Sequence, residues 1–188
     1  AIFFIYLRNN CVLNQSCITG SMKIDKDSYG TIAIAWLFSA LFIFALLKFP
    51  GGIAAYILTG VLVLFAIFVT WFHRVPVRYA PEGEKLVTSG ADGKVVIIRR
   101  TFEKEYLKRE CIQVSVYMNF FNVHANFWPA NGKVTYYKYH PGKYLLAFLP
   151  KAAEENEHAS TAVDTGHGEI FFKQIAGTFA RRIVSYSK

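Results

Sequence analysis

Two long stretches without a charged side chain decide what this chain can fold into. No Asp, Glu, Lys or Arg occurs from Thr31 to Leu47, and after Lys48 none occurs again from Phe49 to Phe72. An α-helix needs about 20 apolar residues to cross a bilayer core of about 30 Å. Both stretches are therefore read as transmembrane helices. Between them, Pro50 removes a backbone donor and Gly51 and Gly52 permit a tight reversal, so the pair is expected to form a helical hairpin. The rival reading of the first stretch is a buried core helix, and the longer uncharged run that follows it argues against that. These runs also account for a composition that is 53% hydrophobic over 188 residues.

Charge orients the hairpin. Lys23 and Lys26 precede it, His73, Arg74 and Arg78 follow it, and basic residues stay on the cytoplasmic side. Both ends are expected in the cytoplasm, with the Lys48 turn on the far side. From His73 onward, 17 Lys plus Arg stand against 11 Asp plus Glu. Held at a membrane, such a basic domain is attracted to anionic headgroups. Nucleic acid would feel the same field, but a membrane hairpin and the lack of an RNP-like aromatic motif speak against that partner.

Residues 1–30 read as a leader, and Met22 is the expected natural start, which sets residues 1–21 aside from fold reasoning. Cys11 and Cys17 fall in that leader and Cys111 stands apart, so neither a disulfide framework nor a zinc-binding spacing is legible, and no metal is expected. Past the hairpin, β-branched and aromatic enrichment predicts strands at Lys85–Thr88, Lys94–Arg99, Cys111–Tyr117, Lys133–Tyr139, Tyr144–Leu149, Ser160–Thr165, Glu169–Gln174 and Arg182–Tyr186. Asp92-Gly93, Asn131-Gly132, Pro141-Gly142 and Gly166-His167-Gly168 supply turns. Only Thr101–Arg109 and Lys151–His158 offer short helices. The expectation is an N-terminal transmembrane helical hairpin, residues 31–72, followed by a mostly-β (α+β) domain, residues 73–188.

Several blocks carry a resemblance: Phe72-His73-Arg74-Val75-Pro76-Val77-Arg78, Ala91-Asp92-Gly93-Lys94-Val95, Asn122-Val123-His124-Ala125-Asn126, Tyr139-His140-Pro141-Gly142-Lys143, Glu155-Asn156-Glu157 and Gln174-Ile175-Ala176-Gly177-Thr178-Phe179. In this order and spacing, after a membrane hairpin, they resemble the short bacterial form of phosphatidylserine decarboxylase. There are departures. Ser89-Gly90 and Asn119-Phe120 stand where the family usually has Ser-Pro, and His158 replaces an arginine.

The resemblance implies a pyruvoyl-dependent decarboxylase made as a proenzyme. A serine after a glycine cuts the chain and becomes the covalent pyruvoyl group; that Gly-Ser pair is expected beyond Lys188, and Gly20-Ser21 is not read as the site. The implied partners are phosphatidylserine in the membrane and the chain's own C-terminal α chain after cleavage, with further copies of itself possible. The implied location is the bacterial inner membrane, catalytic domain towards the cytoplasm. Asp92 is assigned to self-cleavage, orienting a histidine as the acid of a triad does. His124 is assigned to acid–base work at the substrate, and His140 is the candidate for the histidine that serves Asp92. Arg74, Arg78, Arg181 and Arg182 are candidates for phosphate contact.

Without the resemblance, each residue has a plainer reading. Asp92-Gly93 would be a hairpin turn, His140 a turn cap, His124 a core histidine, and Phe120, Phe121, Phe127 and Trp128 packing. The rival function is a catalytically incomplete, membrane-tethered β domain that binds anionic lipid.

Overall fold

The structure is a computed structural model and describes residues 2–7, 12–14, 19–49, 51–79, 86–146 and 151–186. The chain divides into two compact units, Thr19–Val77 and a β unit made of Ala1–Ile18 with Arg78–Lys188.

In the first unit, helices α1 (Tyr29–Lys48) and α2 (Ile53–Phe72) form the predicted hairpin. Each has 20 residues, about 30 Å at 1.5 Å per residue. Their Leu, Phe and Ile side chains face outward: Phe38 is 59% and Leu64 67% exposed. Outward apolar surface on this scale costs too much in water, so the pair suggests membrane association. Small residues let the helices approach. Ser39 and Ala66 are buried between them, and the Ser39 hydroxyl lies 3.1 Å from the Leu62 carbonyl oxygen on the facing helix. The Trp36 indole N–H donates to Thr70 Oγ1 at 3.0 Å. Strand β3 (Thr19–Ile24) before the hairpin forms a two-stranded sheet with β4 (Arg74–Arg78) after it.

The β unit is built on a six-stranded sheet. Its strands are β1 (Ile2–Leu7), β6 (Lys94–Glu103), β7 (Arg109–Tyr117), β8 (Lys133–His140), β9 (His158–Asp164) and β10 (Glu169–Ile175), in the order β6-β7-β1-β10-β9-β8. A second small sheet pairs β2 (Val12–Asn14) with β5 (Leu86–Thr88) in parallel. Every pairing in the large sheet is antiparallel.

The place of β1 corrects the expectation for the leader. Residues 1–21 were set aside as unrelated to the fold, yet Ile2–Leu7 lies in the middle of the sheet, with Ile5 opposite Val114 on β7 and Phe172 on β10. The physical reason is the period of two. Phe3, Ile5 and Leu7 point into one apolar layer with Val114, Val116, Val163 and Phe172. Ile2, Phe4 and Tyr6 point into the opposite layer with Phe171 and Ile175. A short apolar run is what a strand buried on both faces looks like. Each side chain so buried contributes about 1.5–3 kcal/mol.

Other boundaries shift. Arg182–Tyr186 and the described part of Tyr144–Leu149 are not strands, and Lys85 and Ala147–Leu149 lie outside the described residues. Thr101–Arg109 is no helix: β6 runs to Glu103 and a tight turn follows. Three backbone N–H groups, of Glu105, Tyr106 and Leu107, donate to the buried Glu103 carboxylate at 2.7–2.8 Å and fix that turn. Only Ala152–Glu155, α3, is helical within Lys151–His158.

Candidate active site

Asp92 lies between β5 and β6, but Asp92-Gly93 is not a hairpin turn. β5 pairs with β2 and β6 with β7, so the two flanking strands are not partners. Gly93 has φ +154°, and a Cβ there would fall on the Tyr117 carbonyl oxygen. The glycine lets the chain enter the sheet against β7.

Two loops run side by side at this end of the sheet. The Thr88 N–H donates to the Pro129 carbonyl at 2.8 Å, and the Phe127 N–H donates to the Gly90 carbonyl at 2.7 Å. The segment leading to Asp92 is thereby laced to the segment following His124. Arg78 ties them further. Its two terminal nitrogens donate to the two Asp92 carboxylate oxygens, and its guanidinium carbon stands 5.0 Å from the centroid of the Phe127 ring. The fork matches the planar carboxylate, so it fixes orientation as well as charge.

His124 is oriented by its own loop. Asn119 and Asn122 exchange side-chain-to-backbone bonds, with the Asn119 N–H donating to Asn122 Oδ1 at 2.9 Å and the Phe121 N–H to Asn119 Oδ1 at 2.9 Å. The His124 Nδ1 lies 3.1 Å from the Asn122 carbonyl oxygen. A carbonyl only accepts, so this bond needs the proton on Nδ1 and leaves the lone pair of the neutral ring on Nε2.

Beside these loops is a small cleft of about 70 Å³, lined among others by Phe3, Asn126, Phe127, Trp128, Phe172 and Gln174. Asn126 Nδ2 contacts the Met118 sulfur at 3.9 Å, while Asn126 Oδ1 is buried with no hydrogen-bond partner. A buried acceptor left open next to a cleft is a place for a donor from outside the chain. Sequence reasoning passed over Asn126; its position two residues after His124 was the available signal. Of the aromatic group around His124, Trp128 meets Phe172 edge-on at 5.9 Å, while Phe121 is 72% exposed.

His140 is not brought to Asp92. Its Nε2 is 2.8 Å from Glu105 Oε1, and its ring stacks on His158 at 4.3 Å. Asp92 precedes β6 and Glu105 follows it. Ten strand residues at about 3.3 Å each put the two ends roughly 30 Å apart. The assignment of His140 as the partner of Asp92 is therefore corrected.

Each of the four arginines is described by its own surroundings. Arg78 holds Asp92. Arg74, in the helical unit, sits 3.6 Å over the Trp71 ring and donates to the Trp71 carbonyl. Arg181 donates to the Thr178 carbonyl at 2.8 Å and lies 5.6 Å from the Tyr144 ring, and Arg182 is exposed.

Three of the sequence blocks meet at the buried Asn156. Its side chain pairs with both the N–H and the carbonyl of Leu145 at 2.9 Å and donates to the Ala176 carbonyl at 2.9 Å. Lys143 and Glu157 add two backbone bonds across the same junction.

Residues 65–188 match the sequence pattern of the phosphatidylserine decarboxylase family. The chain belongs to that family. Its relatives include phosphatidylserine decarboxylase proenzymes of Amoebophilus asiaticus, 48% identical over 126 residues, 66% of this chain and 56% of that protein; of Porphyromonas gingivalis, 36% identical over 171 residues, 89% of this chain and 77% of that protein; and of Syntrophus aciditrophicus, 51% identical over 121 residues, 64% of this chain and 57% of that protein. The chain thus spans between about half and about three quarters of these family members.

Proposed function

We propose that the protein containing this chain decarboxylates phosphatidylserine to phosphatidylethanolamine in phospholipid synthesis, after a serine beyond Lys188 has cut the proenzyme. The observation that carries this reading is the lacing of the Arg78-held Asp92 to the His124 loop beside a cleft with an open acceptor, in a chain of this family. When bound, a pyruvoyl group supplies a carbonyl that accepts the electrons left by departing carbon dioxide, which no ordinary side chain can do. The apolar walls of Phe3, Phe172 and Trp128 would suit its methyl group, and the Asn126 oxygen, which cannot bond its carbonyls, is open to an N–H such as the substrate amine.

The chain's own residues have separate tasks. Arg78 fixes the Asp92 carboxylate, which orients the base for self-cleavage. His124 takes or returns a proton through Nε2 at the substrate. Asn126 Oδ1 accepts an N–H from what enters the cleft, and the aromatic walls exclude water. Arg74, Arg181 and Arg182 remain the groups proposed for phosphate. Charge around the hairpin supports a site in the bacterial inner membrane with the β domain on the cytoplasmic side.

The test uses the product of the full-length gene in detergent with vesicles containing phosphatidylserine, following carbon dioxide release and phosphatidylethanolamine formation. Turnover is expected, and His124→Ala should lower kcat at least about 100-fold while the chain is still cut. Vesicle binding without turnover would replace this reading with the lipid-binding one.

A further inference from the structure

At the far end of β6 from Asp92, three separate segments bring a carboxylate and two imidazoles together. Glu105 comes from the β6–β7 turn, His140 ends β8 and His158 begins β9. One ligand atom from each lies within 4.8 Å of the other two. His140 Nε2 and Glu105 Oε1 are 2.8 Å apart, and the two rings stack 14° from parallel.

The ring and carboxylate orientations are fixed from outside the cluster. His158 Nδ1 lies 2.7 Å from the Asn156 carbonyl oxygen, so the proton sits on Nδ1 and Nε2 carries the lone pair. Asn156 is itself locked by its three bonds to Leu145 and Ala176. On Glu105, Ser160 donates to Oε2 at 3.1 Å and Lys173 Nζ sits 2.5 Å from Oε2, while Tyr136 donates to Oε1 at 3.2 Å. The lysine thus takes the far oxygen, and Oε1 faces the imidazoles. His158 is buried, and His140 and Glu105 are partly buried.

We propose that Glu105, His140 and His158 form a binding site for one divalent transition-metal ion of the zinc class. Two imidazoles and a carboxylate are the donors such ions take, and each ligand atom has to move less than about 1 Å to reach the roughly 2.0–2.2 Å of zinc coordination. The Asn156 carbonyl behind His158 and the hydroxyls of Ser160 and Tyr136 behind Glu105 are the outer partners that orient such ligands. The ion would pin the β6–β7 turn to the β8 and β9 strands, roughly 30 Å from the Asp92 end of the sheet. The role is structural and independent of the proposed decarboxylation. Spacings of 35 and 18 residues between the ligands hide the site from any sequence motif.

The test is calorimetric titration of the EDTA-stripped full chain in detergent with zinc alone, with cobalt absorption as a second probe of coordination. One equivalent per chain is expected. His140→Gln and His158→Gln should each weaken binding by more than about 100-fold, beyond what loss of an outer partner does. Cys111→Ser, which removes the thiol, should change nothing. A second measurement needs no variant: zinc should protect His140 and His158, but not His167, from acylation by diethyl pyrocarbonate, read by mass. Absence of stoichiometric uptake, uptake that survives the double His→Gln change, or unprotected His140 and His158 in zinc-loaded chain would overturn the proposal.

Discussion

The Arg78 guanidinium grips both carboxylate oxygens of Asp92, with the two side chains 14% and 28% exposed. A pair this far from water holds its geometry, because releasing either partner leaves a poorly solvated charge. Arg78→Ala is expected to destabilise the β unit by about 1–3 kcal/mol and to slow self-cleavage of the full-length protein at least about 10-fold. Arg78→Lys keeps the charge but loses the fork, and should fall between the two. Thermal melts and the fraction of cut chain over time measure both effects.

Gly93→Ala should cost more than any surface change. The new Cβ meets the Tyr117 carbonyl in a backbone conformation that side chains rarely adopt, so β6 must leave its register or the loop must move. A loss of about 3 kcal/mol or more, seen as a lower urea midpoint, is the expected result.

Glu103 stands under the turn that carries Glu105. Removing an acceptor that serves three backbone N–H groups leaves those groups without partners, so Glu103→Ala should destabilise by about 2–4 kcal/mol. Amide exchange of Glu105, Tyr106 and Leu107 should speed up more than that of β1.

Acid should weaken the same region. Burial alone would raise the Glu105 carboxyl, but hydrogen bonds from Lys173 and His140, the Lys173 charge and the Ser160 hydroxyl hold it down at about 2. The unfolded chain thus binds the proton more tightly. The stabilisation is complete above about pH 4.5, the ordinary value, and is lost as pH falls towards 2. Burial first, and then the neighbouring His140 and Lys173, lower the His158 pKa, so stability also begins to fall below about pH 6.5. In metal-stripped protein, Glu105→Gln should flatten the loss between pH 4.5 and 2, worth up to about 3 kcal/mol in the parent. Melting temperatures across that range decide it.

Much of this was legible in the sequence. Charge-free runs are long-range signals that need no tertiary context, so α1 and α2 fall where the residues put them. Strands with turn residues at both ends, such as Lys133–Tyr139, which the structure extends by one residue to His140, were equally plain. Ile2–Leu7 was missed because a six-residue apolar run has no meaning until partners from residues 112–117 and 171–175 close around it. Arg182–Tyr186 was read as a strand on β-propensity, which marks only what fits a half-buried pleated surface. The family's blocks make Asp92 and His124 candidates, while the bonds that lace their two loops together are not legible in the sequence. The Arg78 fork, the open Asn126 oxygen and the distance of His140 from Asp92 depend on contacts between segments far apart in the chain.

Asp92 is proposed to belong to the self-cleavage machinery of a decarboxylase. Its most direct test is the mass of the full-length gene product, parent against Asp92→Asn. The parent should appear as two fragments, the smaller bearing a ketone at its N-terminus, and Asp92→Asn should remain a single uncut chain. Normal cutting of Asp92→Asn, or a parent that never divides, would rule out that role for Asp92.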